Sequence, residues 1–393
     1  MTARLSKLLP KLTVWRAIFA AILLSGAYAT YLRVFYGLGG STNLTDKFPW
    51  GLWIGFDVLC GVGLAAGGFT LVAMVHIFSI RQYRPVLRPA ILTAFLGYVL
   101  VTMGLVYDLG RPDRLWHPLV MWNPHSVMFE VAWCVTLYTT VLFLEFLPMV
   151  FERFGLHKPM EWIHRISVPM MILGVLLSTL HQSSLGTLFL IVPEKLYPLW
   201  YSPILPLLFF VSAIAVGLAM TIFESWHSSR AFGRALELPL LSSIARVLAV
   251  AMSVYLWIRF LDLFHRGAFA LLLRNRIETW LFLLEIALAV VPTVLLYQAR
   301  IRRSPGALYL CAVMVVFSFI TNRLNVAITG IEAGSGTHYF PKWSEVAITL
   351  SLVASGFAIF RVIGHYFPVF EAHAAQSVTA ASEEKEADRL AVG

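Results

Sequence analysis

Charge is what this sequence has least of. Only 13% of its 393 residues are Asp, Glu, Lys or Arg, against 59% hydrophobic, whereas soluble chains carry about a quarter charged residues. That scarcity excludes a soluble globular fold, because a water-bounded core of this length cannot hide so much apolar surface. Cysteine is scarce as well. Cys60, Cys134 and Cys311 each lie inside an apolar run, which excludes a disulfide framework and leaves no ligand set for zinc or an iron–sulfur cluster. Any redox chemistry then needs electrons carried by another molecule. Polar linkers are missing too, so residues 1–370 read as one integral membrane domain. Residues 371–393, rich in Ala, Glu and Ser, read as a mobile, solvated tail. No short apolar core with a small-residue cleavage site opens the chain, and the N-terminus is expected to be retained.

What the sequence has is long apolar runs. A bilayer core takes about 20 apolar residues per helix, and ten runs of that scale fall near 14–36, 51–79, 89–109, 126–149, 166–192, 204–226, 240–263, 277–298, 305–331 and 343–366. The fold class is an all-α polytopic membrane protein of about ten transmembrane helices. The formal charge of +9 does not point to nucleic acid, because Lys and Arg sit in short clusters between the runs. Placing the N-terminus in the cytoplasm puts 16 of these residues on the cytoplasmic side and 8 on the other. Short basic loops resist translocation, so both termini are expected inside. Phe48, Trp50, Trp116, Trp122, Trp200, Tyr201, Tyr339 and Phe340 then form an aromatic belt at the outer interface.

With that topology the ionisable residues inside the spans crowd into the outer half: Asp57, Asp108, Glu130, His181, Arg259, Asp262, Glu285, Arg323 and Glu345. Each costs about 2.5–3.5 kcal/mol at a helix centre, so such groups pair or face a cavity. The structural reading is ion pairing between helices, with Arg111, Arg259, Asp262 and Arg323 as its members and Asp108–Arg111 or Asp57/Glu130–Arg323 as pairs. The functional reading is a polar cavity near one membrane face. In the run Leu180–Gly186, His181, Gln182, Ser183 and Ser184 set an imidazole, an amide and two hydroxyls in succession on an apolar helix. A quinone needs hydrogen-bond donors at its carbonyls and a proton source, within apolar or aromatic walls. His181, Gln182, Asp57, Trp50 and Ser184 are the candidates for quinone contact. Glu130, Asp57, Asp108 and Glu285 are the candidates for proton transfer, and Glu145 and Glu224 lie deeper. The Gly-rich stretch Gly61–Gly68 reads as close helix packing.

Four segments carry a resemblance. Phe48–Asp57, Asn123–Glu130, His181–Gly186 and Tyr339–Pro341 are similar to those of the NrfD/polysulfide-reductase-type membrane subunits, in particular the HybB type, from about residue 30 to 366. The resemblance implies two four-helix bundles, spans two to five and six to nine, flanked by the first and last helices. It implies a subunit of a bacterial inner-membrane complex that takes electrons from a periplasmic, ferredoxin-like iron–sulfur subunit and passes them to menaquinone or ubiquinone. Nickel–iron hydrogenase small and large subunits are the implied further partners, and iron–sulfur clusters are confined to partner chains. It also places Asp57, Glu130 and His181–Gln182 at the quinone and its proton path.

Other classes make distinct demands. A bis-imidazole haem needs two histidines at one depth; only His181 lies well inside a span, so no haem is expected. A secondary transporter calls for internal repeats and broken helices, and neither is legible here. An NrfD-type subunit that oxidises quinol for another respiratory enzyme stays open. An inert membrane anchor accounts for the spans but not for the polar cluster.

Overall fold

A computed structural model of the chain describes residues 13–370; the predicted tail, 371–393, lies outside them. Among the described residues ten helices are long and apolar enough to cross a membrane: α1 (Val14–Ser41), α2 (Trp53–Ile77), α3 (Arg81–Asp108), α4 (Val127–Phe154), α5 (His157–Leu190), α6 (Leu205–Ala231), α7 (Leu238–His265), α8 (Ile277–Leu296), α9 (Pro305–Ser335) and α10 (Trp343–Tyr366). Helices α2 to α5 pack around one another as a four-helix bundle and α6 to α9 as a second, joined where α2 and α5 lie on α6 and where α9 lies on α2. Helix α10 packs along α1 and reaches α3. The expected architecture of two bundles with flanking helices is the one observed.

Burial follows from position. Within its most apolar window α2 is 83% buried, whereas α1 is 11% and α10 17%, so α2 is the axis of the molecule and the flanking pair presents most of its side chains to lipid. Successive spans alternate in direction. Trp50, Asp57, Asp108, Glu130 and Glu345 therefore share one end, the Asp57 end, and Glu145, Glu224 and His76 approach the other, the Glu224 end.

Helix α2 is not one regular rod. It runs as a π-helical segment (Trp53–Val58), an α-helical one (Leu59–Leu64), a turn at Ala65–Ala66, a second α-helical piece (Gly67–Val72) and a closing π-helical turn (Ala73–Ile77). At the turn the Ala66 amide bonds back to Gly63 O (3.0 Å), and the carbonyl of Val62 takes the Gln182 side-chain amide of α5 (3.0 Å). Broken helices survive in a membrane where neighbouring side chains take up the freed backbone groups. The sequence reading had α2 unbroken, yet its reading of the glycines holds. Gly67 and Gly217 bring α2 and α6 together so closely that a Cβ on Gly217 would stand 2.7 Å from the Ala66 carbonyl carbon and the Gly67 nitrogen. A second π-helical segment, Asn325–Thr329, lies in α9, and Gly55 of the first faces Ala327 of the second.

The helix ends differ most from expectation at the Glu224 end. Helix α5 begins at His157, not 166, and spans 34 residues, because hydropathy marks only the lipid-facing length while backbone hydrogen bonds continue into water. Helix α4 stops where Gly155 adopts φ 65°, the left-handed conformation that glycine alone takes at no cost.

Gly217→Val is expected to lower the unfolding midpoint in detergent strongly, by an overpacking cost of about 3 kcal/mol or more, because backbone cannot move aside. Gly306→Ala, with open space around its Cβ position, is the control and should leave the midpoint within about 1 kcal/mol.

Candidate functional site

The polar residues of the Asp57 end form three separate groups, not one cavity. The first belongs to the α2–α5 bundle. Ser184 of α5 reaches Glu130 of α4, Oγ to Oε1 at 2.7 Å, and the same Oγ lies 2.7 Å from the Leu180 carbonyl. Ser126 caps α4 by accepting from the Phe129 amide (3.4 Å), which fixes Glu130 in the first turn. Glu130 is half-buried. Trp50, also half-buried, stands edge-on to Phe189 of α5 at 5.8 Å. Below them His181 is fully buried (0% exposed). Tyr98 of α3 lies 5.7 Å from its ring and 4.7 Å from Tyr138 of α4. The Tyr98 and Tyr138 hydroxyls, Ser178 Oγ and both His181 nitrogens are buried without a hydrogen-bond partner among the described residues. Buried polar atoms are rarely left so, and several in one layer mark a place for water or a substrate polar group. Gln182 gives one of its two amide N–H groups to Val62 O, so the expected quinone donor also serves as a strut between α5 and α2. Entry of any ligand to His181 requires the surrounding side chains to move.

The second group joins α2 and α3 to the flanking helices. Asp57 accepts a hydrogen bond from Thr349 of α10 (2.6 Å). Asp108 does not pair with Arg111: Arg111 binds Asp113 through an exposed ion pair (2.9 Å), which holds the Asp113 carboxyl below its usual range. The guanidinium at the end of α3 is Arg33 of α1, which donates to the carbonyls of Tyr107 and Leu109 at 2.7 Å. Glu345, wholly buried, accepts from the amides of Asn43 (2.9 Å) and Lys342 (3.0 Å) and from the Tyr339 hydroxyl. Burial first, and then the bond to Glu345, hold the Tyr339 hydroxyl above its ordinary pKa, so it stays a donor.

The third group lies in the α6–α9 bundle. Glu285 accepts from Asn322 (2.8 Å), Trp200 (2.9 Å) and Asn325 (3.1 Å). Arg323 donates to Asn322 Oδ1 (2.6 Å) and Ser212 (2.8 Å), with its guanidinium over the rings of Phe209 (3.5 Å) and Phe319 (4.3 Å). Arg259 donates to the Leu199 carbonyl (2.9 Å), while Asp262 pairs with Arg266 (2.7 Å). Among the described residues neither Arg259 nor Arg323 forms an ion pair, which corrects that expectation, including a pair between Arg323 and Asp57 or Glu130. Neutral side chains, carbonyls and ring faces hold these two guanidinium groups instead. Trp200, expected in the interfacial belt, is fully buried as a donor to Glu285, whereas Trp116 and Trp122 are exposed as expected. A cavity of about 10 Å³ borders Tyr255, Ser318 and Asn322, and one of about 40 Å³ borders Glu224 and Arg234 at the opposite end. Thr93 donates to Glu224 at 2.7 Å.

Sequence reasoning passed over Tyr98, Tyr138 and Ser178. Tyr98 lies 10 residues from the Asp57 end of α3 and Tyr138 lies 11 from that end of α4, each about 15 Å deep at 1.5 Å per residue. Matching their depths to His181 was the available signal.

Residues 40–333 match the family model described as polysulphide reductase, NrfD. The chain belongs to the NrfD family. Among its relatives is the "probable Ni/Fe-hydrogenase 2 b-type cytochrome subunit" of Escherichia coli, 33% identical over 86% of this chain and 87% of the relative. Another is the "menaquinone reductase, integral membrane subunit" of Nitratidesulfovibrio vulgaris, 28% identical over 92% and 93%. A third protein, also from N. vulgaris, is 38% identical over 92% and 96% and bears no functional name. The NrfD match covers both four-helix bundles and stops short of α10.

In this NrfD chain Asn322→Leu strips Glu285 and Arg323 of a shared partner at once. It is expected to cost on the order of 3 kcal/mol, read as a drop in the unfolding midpoint in detergent. A loss under about 1 kcal/mol would show that the two charges find other partners.

Proposed function

We propose that this chain is the quinone-reactive membrane subunit of a respiratory oxidoreductase complex. One observation carries the reading: Ser184 has one hydroxyl proton and two acceptors at the same 2.7 Å, Glu130 and the Leu180 carbonyl. When the proton points at Glu130, the acid is a carboxylate. When it points at Leu180, a protonated Glu130 donates to Ser184 Oγ. The contact survives in both states, so Glu130 gains or releases a proton without losing its anchor. A half-buried acid that does this at the Asp57 end of the bundle suits a ligand with an apolar body and two carbonyls that arrives from the lipid.

Quinone reduction takes up two electrons and two protons. The electrons are assigned to a partner subunit; among the described residues no group of three or more His, Cys, Asp or Glu side chains is placed to hold a metal ion. The partner proposed is a periplasmic, ferredoxin-like iron–sulfur subunit docked at the Asp57 end, with nickel–iron hydrogenase small and large subunits beyond it; the E. coli relative's name supports the hydrogenase. Menaquinone is the proposed acceptor, on the name of the N. vulgaris relative, and ubiquinone is the alternative. Glu130 delivers protons at the quinone, and His181 with Tyr98 and Tyr138 forms the polar layer beneath it. Gln182 holds that layer against α2. Asp57 lies on the α2 face toward Gly104 of α3, in the separate group beside α10, and is assigned with Asp108 to the proton path on that side; Glu285 belongs to the other bundle's network. The chain sits in the bacterial inner membrane with both termini cytoplasmic, on the 16-to-8 distribution of Lys and Arg. A haem b is not part of this reading, since a bis-imidazole site needs a second histidine at the depth of His181.

In the intact complex Glu130→Gln is expected to cut electron transfer to menaquinone about 100-fold while reduction of a soluble dye by the partner subunits continues. Equal rates with both acceptors in the variant and the wild type would overturn the assignment. His181→Phe, which keeps the volume and removes both nitrogens, is expected to follow Glu130→Gln in direction.

A further inference from the structure

The segment that carries Trp50 and Asp57 is held by residues outside the NrfD match, which ends at 333. Three hydrogen bonds tie it to the connection before α10 and to α10 itself, and a fourth, between Tyr339 and Glu345, braces them. The Leu52 amide, unpaired at the start of a helix, donates to the Tyr339 hydroxyl oxygen (2.8 Å), and that hydroxyl donates to Glu345. Trp53 Nε1 donates to the Glu345 carbonyl (3.3 Å). One turn deeper, Thr349 Oγ1 donates to Asp57 Oδ2 (2.6 Å). Trp53, Ala347 and Ile348 share an apolar seam with Ala29 of α1, so the contact is dry. From the other side α3 presses on the same residue: a Cβ on Gly104 would stand 2.7 Å from Asp57 Cβ.

We infer that α10 is a working part of the site and that Thr349 is the positioning residue for Asp57. The proposal rests on the quinone reading above. Unlike Ser184, Thr349 has no backbone carbonyl among its hydrogen-bond partners, so its one proton goes to Asp57. It occupies a single carboxylate oxygen, and the other makes no hydrogen bond within the described residues. Asp57 is thereby pinned between α3 and α10 with one oxygen left for a proton or a substrate hydroxyl. The clamped segment is the π-helical Trp53–Val58, a winding that is rare and recurs at functional sites. Tyr339 and Glu345 set the start of the segment, and Thr349 sets the orientation of the carboxylate.

The test uses the purified full-length chain and a short-chain naphthoquinol as probe, with binding measured by titration. Thr349→Val keeps the side-chain shape and removes the donor. It should weaken binding on the order of tenfold, the size of a lost hydrogen bond to a charged group, and should shift the pH dependence of binding. Thr349→Ser restores the donor and should restore both. Asp57→Asn should weaken binding as well, and the double variant should lose no more than Asp57→Asn alone, since the pair acts through one contact. Wild-type affinity and pH profile in Thr349→Val, or losses that simply add in the double variant, would overturn the role of Thr349 and leave the quinone site standing. A wild-type chain that binds no naphthoquinol would instead overturn the site, and the positioning role with it.

Discussion

Inside a bilayer a polar group has only the protein to bond to, and most of this structure follows from that constraint. Each span satisfies its own backbone, so the interesting places are where it does not. The turn at Ala65–Ala66 frees the Val62 carbonyl, and Gln182 crosses from α5 to take it. In the second bundle Glu285 and Arg323 are met by neutral side chains and ring faces, drawn from α6, α9 and the loop before α6. Around His181 the same constraint is left unmet, with five polar atoms of Tyr98, Tyr138, Ser178 and His181 lacking a partner among the described residues. The contrast is one of degree: in the second bundle Glu285 and Arg323 find several partners each and Arg259 Nε is left over, while the first gathers five unpartnered polar atoms one layer beneath a half-buried acid.

The architecture was legible because hydropathy and length are strong, local signals. Ten runs gave ten spans, and the resemblance to NrfD-type subunits gave their grouping. Depth was legible too, since counting residues along alternating helices put Asp57, Glu130, His181, Glu285 and Glu345 at one end. Direction around the helix axis was not. The lopsided depth distribution looked like a single cavity, yet Glu285 faces Trp200 and Asn322 in one bundle, Glu130 faces Ser184 in the other, and Asp57 faces α10. A span without a polar stripe gives no angular reference.

Partners separated by hundreds of positions were beyond sequence reasoning for a related reason. Thr349 is one of many threonines in apolar helices, most of which bond to their own backbone, as Thr70 and Thr102 do here. Only the fold shows that it bonds elsewhere. Trp200 reads as an interfacial anchor from its neighbours Trp-Tyr-Ser-Pro, and becomes a buried donor once α8 supplies Glu285. Arg111 was paired with the wrong acid because Asp108 ends a helix and Asp113 begins the next turn; two residues of separation in an exposed loop suit the guanidinium better than a return into the bundle.

The wide winding of Trp53–Val58 and of Asn325–Thr329 changes how kin of this chain should be compared. A π-helical turn holds one residue more than the α-helix around it, so a relative that lacks a single residue there has not shortened its span. It has relaxed to ordinary pitch, and every side chain on one side of the missing position swings by about 100° relative to the other. One-residue gaps at these two places are therefore changes of angular phase, and ungapped matching through them would equate residues that look in different directions.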